Sequence, residues 1–328
     1  MSALIPIGGT LTGCIGCMVF VESLAKQDPG CMHLMTFATF LFVALEGLIF
    51  ASKFLTVKNR IPIRGYMQVA IVFFVVNVIN NWALTFHVPV PLHIIFRSGS
   101  LLASLLLGKL ILKRTYSLRK YISVFLITVG IIVCTLADSG LEKKAAATEH
   151  SQADATKHYI EWVIGITMLS VALLMSAYLG ICQERLYSAY GKHSREAMFY
   201  VHALTLPGFA LFGNSIVHHA NMFSNSPHWT VLGFDSGVPI LWAQLFATCV
   251  LQWVCIRFVY RLTSEVPSLT VTLVVTLRKF LSLLLSIWFF NNPFTPTHWV
   301  GTVLVFAGTL AFSDIWPTSK AKAKAKGE

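Results

Sequence analysis

Charge is scarce in this chain of 328 residues. Only 12% of its residues are charged, 55% are hydrophobic, and its mean hydropathy is +0.69. A soluble domain normally carries about twice that share of charged residues. The composition is therefore typical of a polytopic membrane protein.

Several motifs of enzymes and pumps are absent. The sequence contains no Asp-x-Asp, no HExxH and no GxxxxGK[ST], and few carboxylates lie in predicted loops outside 138–161. These absences argue against a metal-dependent enzyme acting in a water-facing loop and against an ATP-driven pump. The first apolar run has no basic region before it, so we expect no cleavable signal peptide.

Cysteine is sparse in the predicted loops. Seven cysteines are present, and only Cys31 lies at a loop edge. We therefore expect buried free thiols rather than a disulfide framework. Cys14 and Cys17 form a CxxC pair, but without a second pair this spacing predicts no metal site. We expect neither a metal nor a cofactor.

The apolar residues fall into ten runs that predict membrane spans. A helix that crosses a bilayer needs about 17–25 residues. Runs of that length lie at 4–25, 33–52, 66–87, 90–112, 120–138, 160–183, 197–217, 238–260, 266–290 and 297–316. They predict an all-α polytopic membrane protein with ten transmembrane helices.

The connections between these runs alternate in basic charge. Seventeen lysines and arginines lie on one side and four on the other, with four more inside the runs. Basic loops are retained in the cytosol, so the pattern predicts that both termini are cytosolic. It also accounts for the net charge of +11 without a nucleic-acid partner.

A polar connection divides the chain into two related halves. We predict a first five-helix repeat at 1–138, a polar lumenal connection at 139–159, a second repeat at 160–316 and a basic cytosolic tail at 317–328. Three segments of each half resemble one another in the same order. They place Glu22 opposite Glu184, Arg97 opposite Arg278, and Gly130 opposite Gly308. Because five is odd, the halves enter the membrane in opposite orientations, as in the inverted repeats of secondary transporters.

The segment from Glu265 to Asn292 carries charge at bilayer depth. Arg278 and Lys279 lie in its middle, with no acidic residue after Val266. A cation at the bilayer centre costs about 2.5–3.5 kcal/mol on insertion scales. Two interpretations are open. In one, the cations form an anion site inside the membrane. In the other, they pair with a carboxylate on another helix, such as Glu22, Glu46 or Glu184.

Four segments carry a family resemblance: INNWAL at 79–84, PLHIIFRSGSLL at 91–102, SLTVTLVVTLRKF at 268–280 and NPFTPTHWVGTVLVFAGTL at 292–310. They resemble the nucleotide-sugar transporters of the drug/metabolite transporter superfamily. The most similar branch is the one for UDP-N-acetylglucosamine and UDP-xylose in solute carrier family 35, subfamily B. GDP-mannose carriers have Phe-Tyr-Asn-Asn in the seventh span, where this chain has Phe199-Tyr200-Val201-His202.

The resemblance implies a pyrophosphate to be bound, and three cations suit it: Arg97, Arg278 and Lys279. Adjacent helical residues diverge by about 100°, so Arg278 and Lys279 are expected to point in different directions. Lys279 is the favoured phosphate contact, because related carriers place a lysine in the ninth span. Candidates for base and sugar contacts are Asn80, Asn81, Trp82, Tyr178, Phe199, Tyr200, His202, Gln252 and Arg257. The amides serve equally well to join helices.

Glu22, Glu46 and Glu184 are candidate coupling groups or counter-ions. The predicted function is antiport of UDP-N-acetylglucosamine or UDP-xylose for UMP across a bilayer. The alternatives are a GDP-fucose or multi-substrate carrier and, from another class, a membrane-embedded transferase. The resemblance implies endoplasmic reticulum or Golgi membranes, and the tail with Lys324 and Lys326 resembles a dilysine signal read by coat proteins. Homo-oligomers are compatible with these features.

Overall fold

Long helices account for most of the fold. The computed structural model describes residues 4–83, 85–86, 88–113, 115–147, 152–191, 193–231, 234–265 and 268–312. The helices are α1 (Leu4–Gln27), α2 (Met32–Phe50), α3 (Ile63–Ala83), α4 (Val90–Ser98), α5 (Ser100–Leu112), α6 (Leu118–Ala147), α7 (Gln152–Tyr190), α8 (Ser194–Thr205), α9 (Gly213–Ser224), α10 (Ile240–Glu265), α11 (Ser268–Phe290) and α12 (Pro296–Phe312).

Within the described residues, eight helical segments are long and apolar enough to cross a membrane, by length and composition. The 23-residue α11 and the apolar, 17-residue α12 follow them. Helices suit these apolar runs because hydrocarbon offers no partner for an unpaired backbone amide. The prediction of a polytopic helical membrane protein is confirmed at this level.

The fourth span is broken in the middle, where the sequence predicts one helix over 90–112. Helix α4 ends at Ser98, and α5 begins at Ser100 after Gly99. The amide of Gly99 donates to the carbonyl of Phe96 at 2.8 Å, a three-residue bond that tightens the last turn of α4. The helix is therefore interrupted at Gly99, two residues after Arg97.

The seventh span is also interrupted. Between α8 and α9 the residues Leu206–Phe212 form a 3-10 helix, and Pro207 lies at its beginning. Proline cannot donate the backbone bond that would continue α8. After α9, β1 (His228–Val231) and β2 (Phe234–Pro239) pair in an antiparallel hairpin. The expectation of an all-α chain is therefore corrected to a nearly all-helical one.

The predicted polar connection at 139–159 is largely helical. Helix α6 extends to Ala147 and α7 begins at Gln152, so both continue beyond the apolar runs. Alanine and lysine at 143–147 are strong helix formers, which allows α6 to continue into a polar segment. The remaining residues, 148–151, lie outside the described part of the chain.

Helices from the two halves pack against each other. The extensive contacts join α1 to α10, α3 to α7, α2 to α8, and α6 to α12. A disulfide between Cys14 and Cys255 links α1 to α10. The expectation that these two thiols are free is therefore wrong, because packing brings residues 241 positions apart to a Cα–Cα distance of 4.7 Å. The other five cysteines are free and buried, as expected.

The molecule has two ends. We call the end that holds the α2–α3 loop the basic end, and the end where α1 contacts α11 the far end. At the basic end, the α2–α3 loop contacts the first turn of α8, where the Glu196 carboxylate accepts from the amides of Arg60 and Ile61 at 3.0 and 3.2 Å. At the far end, α1 contacts α11. There the Asn292 amide donates to Glu22 at 2.6 Å, and the Lys26 ammonium donates to the Phe290 carbonyl at 2.8 Å.

Candidate functional site

Three neighbouring cavities form a chamber between the helices of the two halves. Asn77 of α3 and Arg97 of α4 line all three, so the cavities adjoin at these two side chains. Their volumes are about 250, 300 and 160 Å³. We call them the cation cavity, the aromatic cavity and the thiol–amide cavity, and together the central chamber.

Arg97, Arg278 and Lys279 all line the cation cavity. They lie close enough for their positive charges to repel one another. Among the described residues, no carboxylate forms an ion pair with any of the three. Placing three cations together without a counter-charge is unfavourable unless an anion joins them. The arrangement is therefore suited to binding an anion with several negative charges.

The break in the fourth span explains how these cations are arranged. Carbonyls in the last turn of a helix lack an intrahelical partner. The carbonyl of Arg97 is in that position, and it accepts a hydrogen bond from the Lys279 ammonium at 3.3 Å. On the other flank, the Arg278 guanidinium lies 3.6 Å from the Cys255 sulfur. The two side chains diverge as expected for neighbours on a helix, yet both border the same cavity.

The aromatic cavity extends from Arg97 toward the basic end. His202 borders it, and its ring packs edge-on against Phe40 and Phe73 at centroid distances of 5.0 and 5.1 Å. The His202 Nδ1 atom lies 2.7 Å from the Met198 carbonyl, which leaves the other ring nitrogen for a further contact. Flat rings beside amides and a histidine suit an aromatic ligand with polar edges.

The thiol–amide cavity extends toward the far end. Asn81 borders it and donates to the Thr36 hydroxyl, and Gln252 accepts from the Cys17 thiol at 3.1 Å. His93 lies one turn before Arg97 on α4, with its Nε2 atom 3.3 Å from the Asn80 carbonyl. These groups offer both donors and acceptors in a small space, which suits a ligand rich in hydroxyl groups.

Several predicted site residues line the chamber and others do not. Asn80 lines the cation cavity, while Asn81 and Gln252 line the thiol–amide cavity, with Gln252 also in the aromatic one. Tyr178 instead packs on the apolar cluster of α3, α7 and α8. Tyr200 stacks on Tyr66 at 5.2 Å and donates to Asn59 at 2.6 Å, because its side of α8 faces the α2–α3 loop.

Three further candidates lie elsewhere. Phe199 is buried in the same apolar cluster as Tyr200. Trp82 is about half exposed and lies beside Phe86. Arg257 faces the Glu46 carboxylate at 3.8 Å and the ring of Trp253 at 5.0 Å, outside the three cavities.

Within the described chain, the three candidate carboxylates form no ion pair with the three cations of the cation cavity. Glu22 is buried at the far end against Asn292, Glu46 faces Arg257, and Glu184 is exposed near the basic end of α7. Pairing of Arg278 or Lys279 with one of these carboxylates is therefore not found within the described chain. Lys324 and Lys326 of the tail lie outside the described residues.

The sequence analysis missed Asn77, which borders all three cavities of the central chamber. It lies three and four positions before Asn80 and Asn81, so the three amides share one face of α3. That spacing within an apolar run was the available signal. Cys17, Thr39 and Gln183 were also missed, because single small or polar residues in a span are common.

One comparison decides the family. The family model of the UAA transporter family matches residues 2–316. The chain belongs to the UAA transporter family.

Individual relatives match over almost the full length. A Danio rerio protein named UDP-xylose and UDP-N-acetylglucosamine transporter is 48% identical over 316 residues, which cover 96% of this chain and 95% of the relative. The nucleotide sugar transporter SLC35B4 of Homo sapiens is 46% identical with the same coverage. The endoplasmic reticulum GDP-fucose transporter of Drosophila melanogaster is 48% identical over 322 residues, covering 96% of this chain and 91% of the relative.

These matches confirm the resemblance to nucleotide-sugar transporters. As a member of the UAA transporter family, the protein is a transporter and not an enzyme. The transferase alternative is therefore set aside.

Proposed function

We propose that this UAA transporter exchanges a nucleotide sugar for the matching nucleoside monophosphate across an endoplasmic reticulum or Golgi membrane. The observation that carries the proposal is the cluster of Arg97, Arg278 and Lys279 without a described counter-carboxylate. A pyrophosphate supplies the missing negative charge, and guanidinium and ammonium groups bind phosphate well. Substrate and exchanged nucleotide both carry phosphate, so the same cations serve in both directions.

The neighbouring cavities suit the other parts of such a substrate. The aromatic cavity, with Phe40, Phe73 and His202, suits a nucleobase, and the thiol–amide cavity suits a sugar with its hydroxyl groups. Of the two relatives at 48% identity, one is named for UDP-xylose and UDP-N-acetylglucosamine and the other for GDP-fucose. We take the UDP-sugars as the first candidates and GDP-fucose as the second.

The proposed framework is an inverted repeat of two five-helix halves. In such a repeat α1 matches α7, and α3 matches α10. The α1–α10 contact should therefore have a counterpart between α7 and α3, and both contacts are present. In the same way, the α1–α11 contact corresponds to the α7–α5 contact, again with both present. This correspondence supports the proposed repeats and a site between them. The boundaries at 138 and 160 and the cytosolic termini remain part of the proposal.

The test is uptake by purified protein in sealed vesicles. Vesicles preloaded with UMP, GMP, CMP or buffer are given a panel of labelled UDP-, GDP- and CMP-sugars. We expect UMP to accelerate uptake of intact UDP-sugar, because a bound ligand favours the transition between the inward and outward states. Equal rates with empty and loaded vesicles would contradict exchange. Acceleration by GMP alone would transfer the assignment to GDP-fucose.

A further inference from the structure

A second cavity of a different character lies next to the central chamber. It is an apolar groove of about 410 Å³ between the broken fourth span, α6 and α7. Its walls include Phe96 from α4, Ile131 and Leu136 from α6, and Leu173 and Leu174 from α7. The groove lies in membrane-spanning segments, so its mouth opens to hydrocarbon.

The polar atoms in the groove need no ligand. The hydroxyls of Thr128, Thr135 and Ser170 each donate to the carbonyl four residues earlier on their own helix, at 2.8, 2.8 and 2.9 Å. A bound molecule would therefore meet methyl, methylene and aromatic surface. This excludes a nucleotide or sugar as the occupant and favours a hydrocarbon chain.

The groove continues the surface that contacts lipid. Ile132, Leu136 and Leu174 at its mouth are 52%, 67% and 45% exposed. Along α6 it extends from residue 128 to 136, which is about 12 Å of helix. That is less than half of the bilayer core, about 30 Å thick. Within the hydrocarbon core of a bilayer, the abundant apolar molecules are the acyl chains of the surrounding phospholipids.

The groove and the cation cavity share a wall. Phe96 and Leu173 line both, so one layer of side chains separates them. Side chains of the groove also pack directly against Gly99, at the break in the fourth span. A Cβ atom on Gly99 would lie 2.5 Å from Ile131 Cδ1 and 3.2 Å from Leu173 Cδ1. An empty groove would leave these side chains without contacts on one side, at a loss of dispersion energy.

We propose that this groove binds one acyl chain of a membrane phospholipid, packed against the break in the fourth span. The site is separate from nucleotide-sugar exchange and does not depend on the identity of the substrate. It places a lipid chain behind the wall that carries Phe96, the residue next to Arg97.

The test uses phosphatidylcholine with a diazirine on one acyl chain, incorporated into vesicles with the purified full chain. After illumination, labelled peptides are identified by mass spectrometry. We expect labelling concentrated at 128–136 and 170–174 that saturates as the probe fraction rises. Labelling of other exposed span surfaces should rise in proportion to the probe. Even labelling of all lipid-facing surfaces would overturn the proposal.

Matched variants locate the binding. Leu174→Trp fills the groove, whereas Val171→Trp adds the same bulk on α7 at a residue of similar exposure, 44%, outside it. We expect Leu174→Trp to lose the saturable labelling and Val171→Trp to retain it. Leu136→Trp fills the groove from α6 and provides the same test if Leu174→Trp fails to fold. Saturable labelling that persists in a folded groove-filled variant would also overturn the proposal.

Discussion

At the scale of single residues, the intramembrane cations differ in whether a carboxylate lies beside them. Arg257 has the Glu46 carboxylate at 3.8 Å, whereas Arg278 and Lys279 contact a sulfur and a backbone carbonyl. A charge without a counter-ion is costly in the membrane. The three chamber cations therefore support the proposal that an anionic ligand binds there.

We expect Lys279→Ala and Arg278→Ala each to abolish or strongly reduce nucleotide-sugar exchange while the protein still reaches the membrane. Each removes a charge-assisted contact worth about 1.5–3 kcal/mol, roughly ten- to a hundredfold in affinity. Arg257→Gln is the matched control, because it also removes an intramembrane arginine, from outside the chamber. Vesicle uptake measures the effect. Wild-type uptake by both chamber variants would show that the anion binds elsewhere.

At the scale of elements, the close approach of helices depends on glycine. Helices α6 and α12 cross at Gly130, where a Cβ atom would lie 2.6 Å from the Gly301 carbonyl oxygen and 2.9 Å from the Val305 amide nitrogen. Both neighbours are backbone atoms, so the helices would have to separate. Gly308 of α12 also packs closely against α6, where a Cβ atom would lie 2.8 Å from the Ser123 carbonyl oxygen.

We expect Gly130→Ala to destabilise the folded protein by about 1–3 kcal/mol, the usual cost of overpacking. Gly180→Ala is the control, because a Cβ atom there meets nothing within 4 Å and alanine favours a helix by about 1 kcal/mol. Thermal unfolding in detergent compares the two with the wild type. Equal melting of the Gly130 and Gly180 variants would show that α6 and α12 separate without cost.

Another prediction concerns the contact between α1 and α11 at the far end. The Asn292 amide donates to Glu22 at 2.6 Å and to the Ser286 carbonyl and hydroxyl at 3.1 and 3.0 Å. We expect Asn292→Ala to weaken the contact between α1 and α11, because the buried Glu22 carboxylate loses that donor. Spin labels at positions 221 and 288, both exposed, should report a larger population of long distances.

Asn225→Ala provides the control for that measurement, since this residue is exposed near the same end. An unchanged distance distribution in Asn292→Ala would mean that the hydrogen bond to Glu22 is not needed to hold α11 at the far end.

At the scale of the whole molecule, the distribution of basic residues sets the proposed orientation. The seventeen-to-four asymmetry predicts that the tail is cytosolic. Lys324 and Lys326 lie five and three places from the end of the chain, counting the last residue as the first. Coat proteins read such a signal by its position, whereas orientation depends on charge alone.

We expect two alanines added after Glu328 to shift the protein from endoplasmic reticulum toward Golgi membranes. The extension leaves charge unchanged but moves both lysines away from the terminus. Two alanines inserted before Lys320 are the control, because they leave the spacing to the terminus intact. Fluorescence microscopy measures the distribution. An identical distribution for both insertions would leave the tail as an orientation signal only.

Hydropathy alone was sufficient to predict the membrane class and most spans, because a bilayer requires long apolar helices whatever their packing. The cations of the site were also predictable, since charge in a span stands out. The broken fourth span was not, although its glycine and serines were visible. A single glycine in an apolar run is compatible with a straight helix until neighbouring side chains restrict it.

The amino-acid sequence was therefore enough to predict the helical membrane architecture, the excess of basic charge in alternate connections and the three cations. Only tertiary packing decided the Cys14–Cys255 bond, the central position of Asn77 and the orientation of Tyr200 toward Asn59. The physical reason is that hydropathy and charge act on each segment separately. The face that a helix turns to its neighbours depends instead on contacts between residues far apart in the chain.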